Sequence, residues 1–182
     1  ANWVQGVKVV GDVAYLAAGE AGLLTLDVTN PANIRRLGSF DTSGTAQKAR
    51  IVNGLAFLAD GEAGLLIIDV FSNPKQPCLI GQCDTPGHAA KVRVDNEYAY
   101  VADGQAGLTI INISDPAKPK IIGSCDTPDY ASDVSVFSSI PKRYAYVADA
   151  RAGIQIIDLT NMSKPVLTGS YSTKNYAAAI SI

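Results

Sequence analysis

One phrase is written four times along this chain: AYLAAGEAGLLTLDV from Ala14, AFLADGEAGLLIIDV from Ala56, AYVADGQAGLTIINI from Ala99 and AYVADARAGIQIIDL from Ala145. Its shared glycines, Gly22, Gly64, Gly107 and Gly153, lie 42, 43 and 46 residues apart, and a second set, Gly38, Gly81, Gly123 and Gly169, lies 43, 42 and 46 apart. Two rulers that agree mean that the unit repeats as a whole. A period of about 40–45 residues belongs to four-stranded blades set around a hub rather than to helical or leucine-rich repeats.

One unit reads as four short strands. In the third, KVRVD (Lys91 to Asp95) alternates, Asn96-Glu97 turns the chain, and YAYVA (Tyr98 to Ala102) returns as a hairpin partner. Asp103-Gly104-Gln105-Ala106-Gly107 makes a second turn in which glycine supplies positive φ. LTIINI then runs from Leu108, and Ser114-Asp115-Pro116-Ala117-Lys118-Pro119 connects it to KIIGSCD from Lys120. The third strand, LLIID in the second unit, is apolar at almost every residue, and continuous apolarity means that both faces of the sheet are covered. Small Ala14, Ala56, Ala99 and Ala145 stand beside bulky Tyr15, Phe57, Tyr100 and Tyr146. A fixed small-large pair lets successive sheets pack at one spacing.

These features predict an all-β chain, a β-propeller of four-stranded antiparallel blades. The units run approximately 1–44, 45–87, 88–129 and 130–175, with the start of a fifth at 176–182. Ala178 to Ile182 holds the same repeat position as the strand near Val4 to Val10, which makes four repeats plus one extra inner strand. A closed four-bladed ring has no place for that strand. The chain therefore reads as part of a larger six- to eight-bladed ring, or as half of a ring completed by a second copy.

Composition removes several classes of function. A net charge of −2 gives no electrostatic case for nucleic acid. The longest apolar runs are strand-length, well short of the ~20 residues of a membrane-spanning helix. Cys78, Cys83 and Cys125 form no CxxC or Cys/His pair that would suggest zinc, and Cys83 and Cys125 hold the position of Phe40 and Tyr171, an apolar filling role. Asp27, Asp69 and Asp158, with Asn112, close the third strands and are predicted to bond the backbone of the following turn. Asp60, Asp103 and Asp149 recur and also read as structural, because residues one blade apart diverge around a ring and do not converge on a metal. No cofactor is implied.

AYVADGQAGL, the IIDV and IIDL strands, the N-P or D-P turn after them and the IxGSxDTP segment resemble the LVIVD repeat family of bacterial and archaeal β-propeller proteins over essentially the whole chain. More distantly, the AYVA strand is similar to that of YVTN-type propellers. The resemblance implies that the strands through Val9, Ile51, Val94 and Val136 are innermost and line a central channel. It also implies that Asp41 to Gln47, Asp84 to Ala90 and Asp126 to Ser132 share one rim with the turns at Gly19, Gly61, Gly104 and Ala150. The prolines, among them Pro31, Pro74, Pro116 and Pro165, fall on the opposite rim. Members of the family are mostly secreted or surface-attached, so an extracellular or cell-surface location is implied as well.

Catalytic signals are weak. His88 is the single histidine and takes the place of Thr45, Tyr130 and Tyr176 in the other units. No P-loop, GxSxG, HExxH or dinucleotide fingerprint is present. What varies between copies is more informative than what repeats, since every blade meets the same scaffold demands. The variable set assigned to the binding rim is His88, Lys91, Arg93, Tyr130, Asp133, Tyr176 and Arg151. Aromatic and long polar groups on one surface suit a protein or glycan partner. The chain is thus expected to be a non-enzymatic binding scaffold, with self-association completing the ring as a further expectation. The alternative is an enzyme or ligand-binding propeller whose site lies in the channel, with Arg50, Lys91, Arg93 and Asp133 converging there. The fourth unit inserts residues over 137–143, a longer hairpin open to a partner contact.

Overall fold

A computed structural model describes residues 3–139 and 142–182. Four four-stranded antiparallel sheets follow one another along the chain, each a simple meander. The first contains β1 (Gly6–Val10), β2 (Val13–Ala17), β3 (Leu23–Asp27) and β4 (Arg35–Phe40). The second contains β5 (Lys48–Val52), β6 (Leu55–Ala59), β7 (Leu65–Asp69) and β8 (Cys78–Cys83). The third contains β9 (Lys91–Asp95), β10 (Tyr98–Ala102), β11 (Leu108–Asn112) and β12 (Lys120–Cys125). The fourth contains β13 (Ala131–Ser139), β14 (Lys142–Asp149), β15 (Ile154–Asp158) and β16 (Val166–Tyr171). In every sheet the register shifts at one place between the third and fourth strands, at Thr25/Leu26, Ile67/Ile68, Ile110/Ile111 and Ile156/Ile157. Such a bulge increases local twist, and its recurrence gives each blade the same shape.

Each blade covers the next. Tyr15, Ala17 and Leu23 of the first blade pack on Ala49, Ala56, Leu58 and Ile68 of the second. Phe57 and Leu65 of the second meet Val92, Val94 and Ala99 of the third, and Tyr100 and Leu108 of the third meet Val134, Ala145 and Ile157 of the fourth. The alternating small and large positions are thus opposite sides of one junction, with an aromatic ring of one blade set against the alanine of the next. Inner strands β1, β5, β9 and β13 touch in that order around the hub.

Backbone contacts fix the spacing further. A methyl group on Gly38, Gly81 or Gly123 would collide with a carbonyl oxygen of the following blade's proline-bearing loop, at Lys75, Pro116 and Met162 respectively. Thr25 Oγ1 donates to Pro74 O at 2.6 Å across the first junction. The turns at Gly19, Gly61, Gly104 and Ala150 form single bridges to Ala46, Ala89, Ala131 and Ala177, so they share a rim with the segments leading into each inner strand.

The sheets do not close into a ring. Val7 and Val9 are 58% and 51% exposed, whereas Ala49 at the position of Val7 is 6% exposed because the first blade covers it. At the other end Tyr171 is 68% exposed, whereas Cys83, at the same repeat position, is buried. The segment Ala178 to Ile182, expected as a fifth inner strand, is not a strand. A β-strand needs a ladder partner, and among the described residues no strand pairs with this segment. Ala177 still bridges to Ala150 as its counterparts do, and Ile180 N donates instead to Asp133 Oδ2 at 3.1 Å. The centre of the insertion, residues 140 and 141, lies outside the described residues, and its flanks extend β13 and β14 into a longer hairpin.

Candidate functional site

The recurring carboxylates, read from sequence as structural, make structural hydrogen bonds. Asp27, Asp69, Asn112 and Asp158 each accept a hydrogen bond from a backbone N–H two or three residues on, at 2.7–3.0 Å. Hydroxyl groups of Thr29, Ser72 and Thr160 first, and then these backbone bonds, hold the carboxyl groups of Asp27, Asp69 and Asp158 below the usual aspartate range. Asp60, Asp103 and Asp149 are completely buried. Asp103 accepts from Thr85 Oγ1 at 2.7 Å, Thr109 Oγ1 at 2.9 Å and Gly87 N at 3.1 Å, which pins the loop arriving from the preceding blade. Asp60 binds Thr42 and Gly44 in the same way, and Asp149 binds Thr127 and Asp129. Burial pushes all three carboxyl groups up, against the hydrogen bonds that favour the anion. Among the described residues no three His, Cys, Asp or Glu side chains group as a metal site requires.

The residues singled out from sequence fall into two places. His88, Tyr130 and Tyr176 stand one per blade on the turn rim. His88 lies over the Gly61-Glu62 turn, with Nδ1 3.1 Å from Glu62 Oε1, and Tyr130 lies over Gly104. Their rings are 6.3 Å apart and tilted by 43°. Tyr176 is 56% exposed, and the Tyr130 hydroxyl is pushed up by burial first and then by the neighbouring Tyr176, Glu62 and Asp103. Arg151 is exposed beyond them, its backbone N–H bonded to Asp129 Oδ2 at 2.9 Å. An aromatic strip thus crosses two blade junctions.

Lys91, Arg93 and Asp133, grouped from sequence with the rim in the first reading and with the channel in the alternative, stand on inner strands and line the central channel with Arg50. Lys91 Nζ bonds Asp133 Oδ2 at 2.9 Å. Register explains the convergence: Lys8, Arg50 and Arg93 pair with Tyr15, Phe57 and Tyr100, the same step of the ladder in three consecutive blades, and Ser135 holds that step in the fourth. Lys8 and Lys48 also line the cavity, and Lys8 went unremarked from sequence alone as a binding candidate. The signal was available, since a cation recurs at one repeat position of an otherwise apolar strand.

Solved structures agree with this architecture. The chain aligns with the computationally designed Ika8 protein at a TM-score of 0.75 and 8% identity, covering 98% of this chain and 52% of that one. Sqt1 of Saccharomyces cerevisiae aligns at a TM-score of 0.69 and 9% identity, covering 86% of this chain and 44% of that one. This chain therefore spans about half the length of either structure, and at such low identity the likeness concerns the fold alone. A comparison with curated proteins finds no match. The LVIVD repeat model matches four times in succession, over residues 3–42, 43–85, 86–127 and 129–173, one match per blade. With repeat, blade and match in step along the chain, the protein belongs to the LVIVD repeat family.

Proposed function

We propose that this chain is a non-enzymatic interaction module that presents the turn rim to a protein or glycan partner outside the cell or at its surface. The observation that carries the reading is the pair of His88 over the Gly61 turn and Tyr130 over the Gly104 turn, with the exposed Tyr176 at the same repeat position and Glu62 and Arg151 beside them. Aromatic groups with polar tips bury large area at low entropic cost and are the side chains that dominate binding surfaces. The family resemblance supports the location. Completion of the ring belongs to the same reading: the uncovered faces around Val7 and Leu24 at one end and Tyr146 and Ile156 at the other match the two sides of an internal junction.

The test is binding of the tagged chain to immobilised glycans and surface-protein fractions, alongside a Tyr130→Ala/Tyr176→Ala double variant and Arg93→Gln in the channel. Loss in the rim variant with retention in the channel variant is the expected result. Equal binding by both, or binding to nothing on the panel, counts against the rim. A second reading, a ligand site in the channel, is favoured by the convergence of cations there.

A further inference from the structure

Five cationic side chains, Lys8, Lys48, Arg50, Lys91 and Arg93, meet in the hub cavity, and Asp133 is the one acidic side chain among its lining residues. Across the chain, acidic groups outnumber basic ones, with 17 Asp and Glu against 15 Lys and Arg. The channel therefore concentrates positive charge in a molecule that is negative overall. Asp133 is already engaged, by Lys91 Nζ and by Ile180 N. Arg50 and Arg93 carry a second sign of an incomplete site: the Nε of each is buried and has no hydrogen-bond partner among the described residues. A buried donor left unpaired costs about 1–3 kcal/mol, and like charges in a recess repel, so such an arrangement is costly unless something anionic occupies it.

We propose that the central channel binds a small oxyanion of the phosphate or sulfate class bearing at least two negative charges. Cations approach the cavity from three inner strands, Lys8 on β1, Lys48 and Arg50 on β5, and Lys91 and Arg93 on β9. Tetrahedral oxyanions offer oxygens in several directions and suit donors arriving from different sides, whereas a planar carboxylate is matched by a single guanidinium fork. A cavity of about 340 Å³ admits a small molecule, not a folded domain. Nearby anions are attracted before contact, because charges of one sign in a low-dielectric cleft focus the field. This site is separate from the rim and stands or falls independently of the rim partner.

Calorimetric titration with sodium pyrophosphate at constant ionic strength tests the assignment, with matched sodium chloride and trisodium citrate as controls. Saturable binding to one site, with Kd below about 1 mM, is expected for pyrophosphate. Arg50→Gln and Arg93→Gln should each weaken it by about tenfold or more, while Arg93→Lys, which keeps the charge and loses the fork, should weaken it less than Arg93→Gln. Tyr130→Ala on the rim should leave it unchanged. Thermal melts identify any variant that fails to fold, and for such a variant a pyrophosphate-dependent rise in the wild-type melting temperature at fixed ionic strength is the second readout. No saturable binding, binding indifferent to both arginine substitutions, or tighter binding of citrate than of pyrophosphate overturns the proposal.

Discussion

Lys91 Nζ and Asp133 Oδ2, 2.9 Å apart, tie the inner strand of the third blade to that of the fourth and hold the only side-chain carboxylate that lines the channel among the described residues. The pair is partly exposed, at 30% and 15% of its side-chain surfaces, so its own contribution to stability is modest. Its effect on the channel's charge is larger. Asp133→Asn removes the negative charge and frees Lys91, keeps one acceptor oxygen for the two backbone donors Val134 N and Ile180 N, and pyrophosphate affinity measured by calorimetry should rise by about fivefold. A fall in affinity would mean that Asp133 organises the cations instead of opposing them.

Asp103 receives three hydrogen bonds in a fully buried position. Asp103→Asn turns one acceptor oxygen into a donor facing other donors, and urea denaturation at neutral pH should show a loss of about 2 kcal/mol. Burial raises the folded-state values of Asp60, Asp103 and Asp149 above their ordinary 3.8, so the folded chain retains those protons to higher pH than the unfolded chain. Their contribution to stability is consequently greatest below that ordinary value and declines as pH rises through the raised ones. Asp27, Asp69 and Asp158 act in the opposite sense, since their lowered values make their contribution disappear as pH falls below 3.8. Urea midpoints measured from pH 3 upward should therefore fall less steeply with rising pH in Asp103→Asn than in the wild type.

Ala150 holds φ at 45° in the turn where the other three blades use glycine. A left-handed conformation costs a residue with Cβ about 1–2 kcal/mol, partly offset by the entropy that glycine loses on folding. Ala150→Gly should raise stability by about 0.5–1 kcal/mol in urea denaturation. No gain would show that the turn relaxes without strain.

Gly81 and Gly169 occupy the same repeat position with different surroundings. A methyl group on Gly81 meets the Pro116 carbonyl oxygen of the next blade, while on Gly169 its nearest neighbour is Ile156 Cδ1 at 3.6 Å. Gly81→Ala is expected to cost about 2–3 kcal/mol and Gly169→Ala to stay within about 0.5 kcal/mol, read from thermal melts. Equal losses would place another blade against the fourth.

Blade number, strand order and the small-large junctions were legible in the sequence because they repeat, and repetition turns weak local signals into a strong one. Asx closure by Asp27, Asp69, Asn112 and Asp158 was legible for the same reason. Lys91, Arg93 and Asp133 were legible as candidates for both the rim and the channel, and the choice between the two depends on how inner strands of different blades face one another. The strand expected at Ala178 to Ile182 fails on a similar ground, since repeat position specifies a strand only when its ladder partner exists. Lys8 escaped notice because a single cation on a strand is ordinary, and only the ring of them is not.

Rim and channel are both assembled across blade junctions, so the stacking of blades underlies each functional assignment. Hydrogen exchange by mass spectrometry, on the 182-residue chain at a concentration where light scattering shows a monomer, reads that stacking directly. Amides of β6, β7, β10 and β11, covered on both faces, are expected to exchange at least about tenfold more slowly than those of β2, β3 and β15, each open on one face. Equal protection in all four sheets, or slowest exchange in β3 and β15, would contradict an open arc of mutually shielding blades.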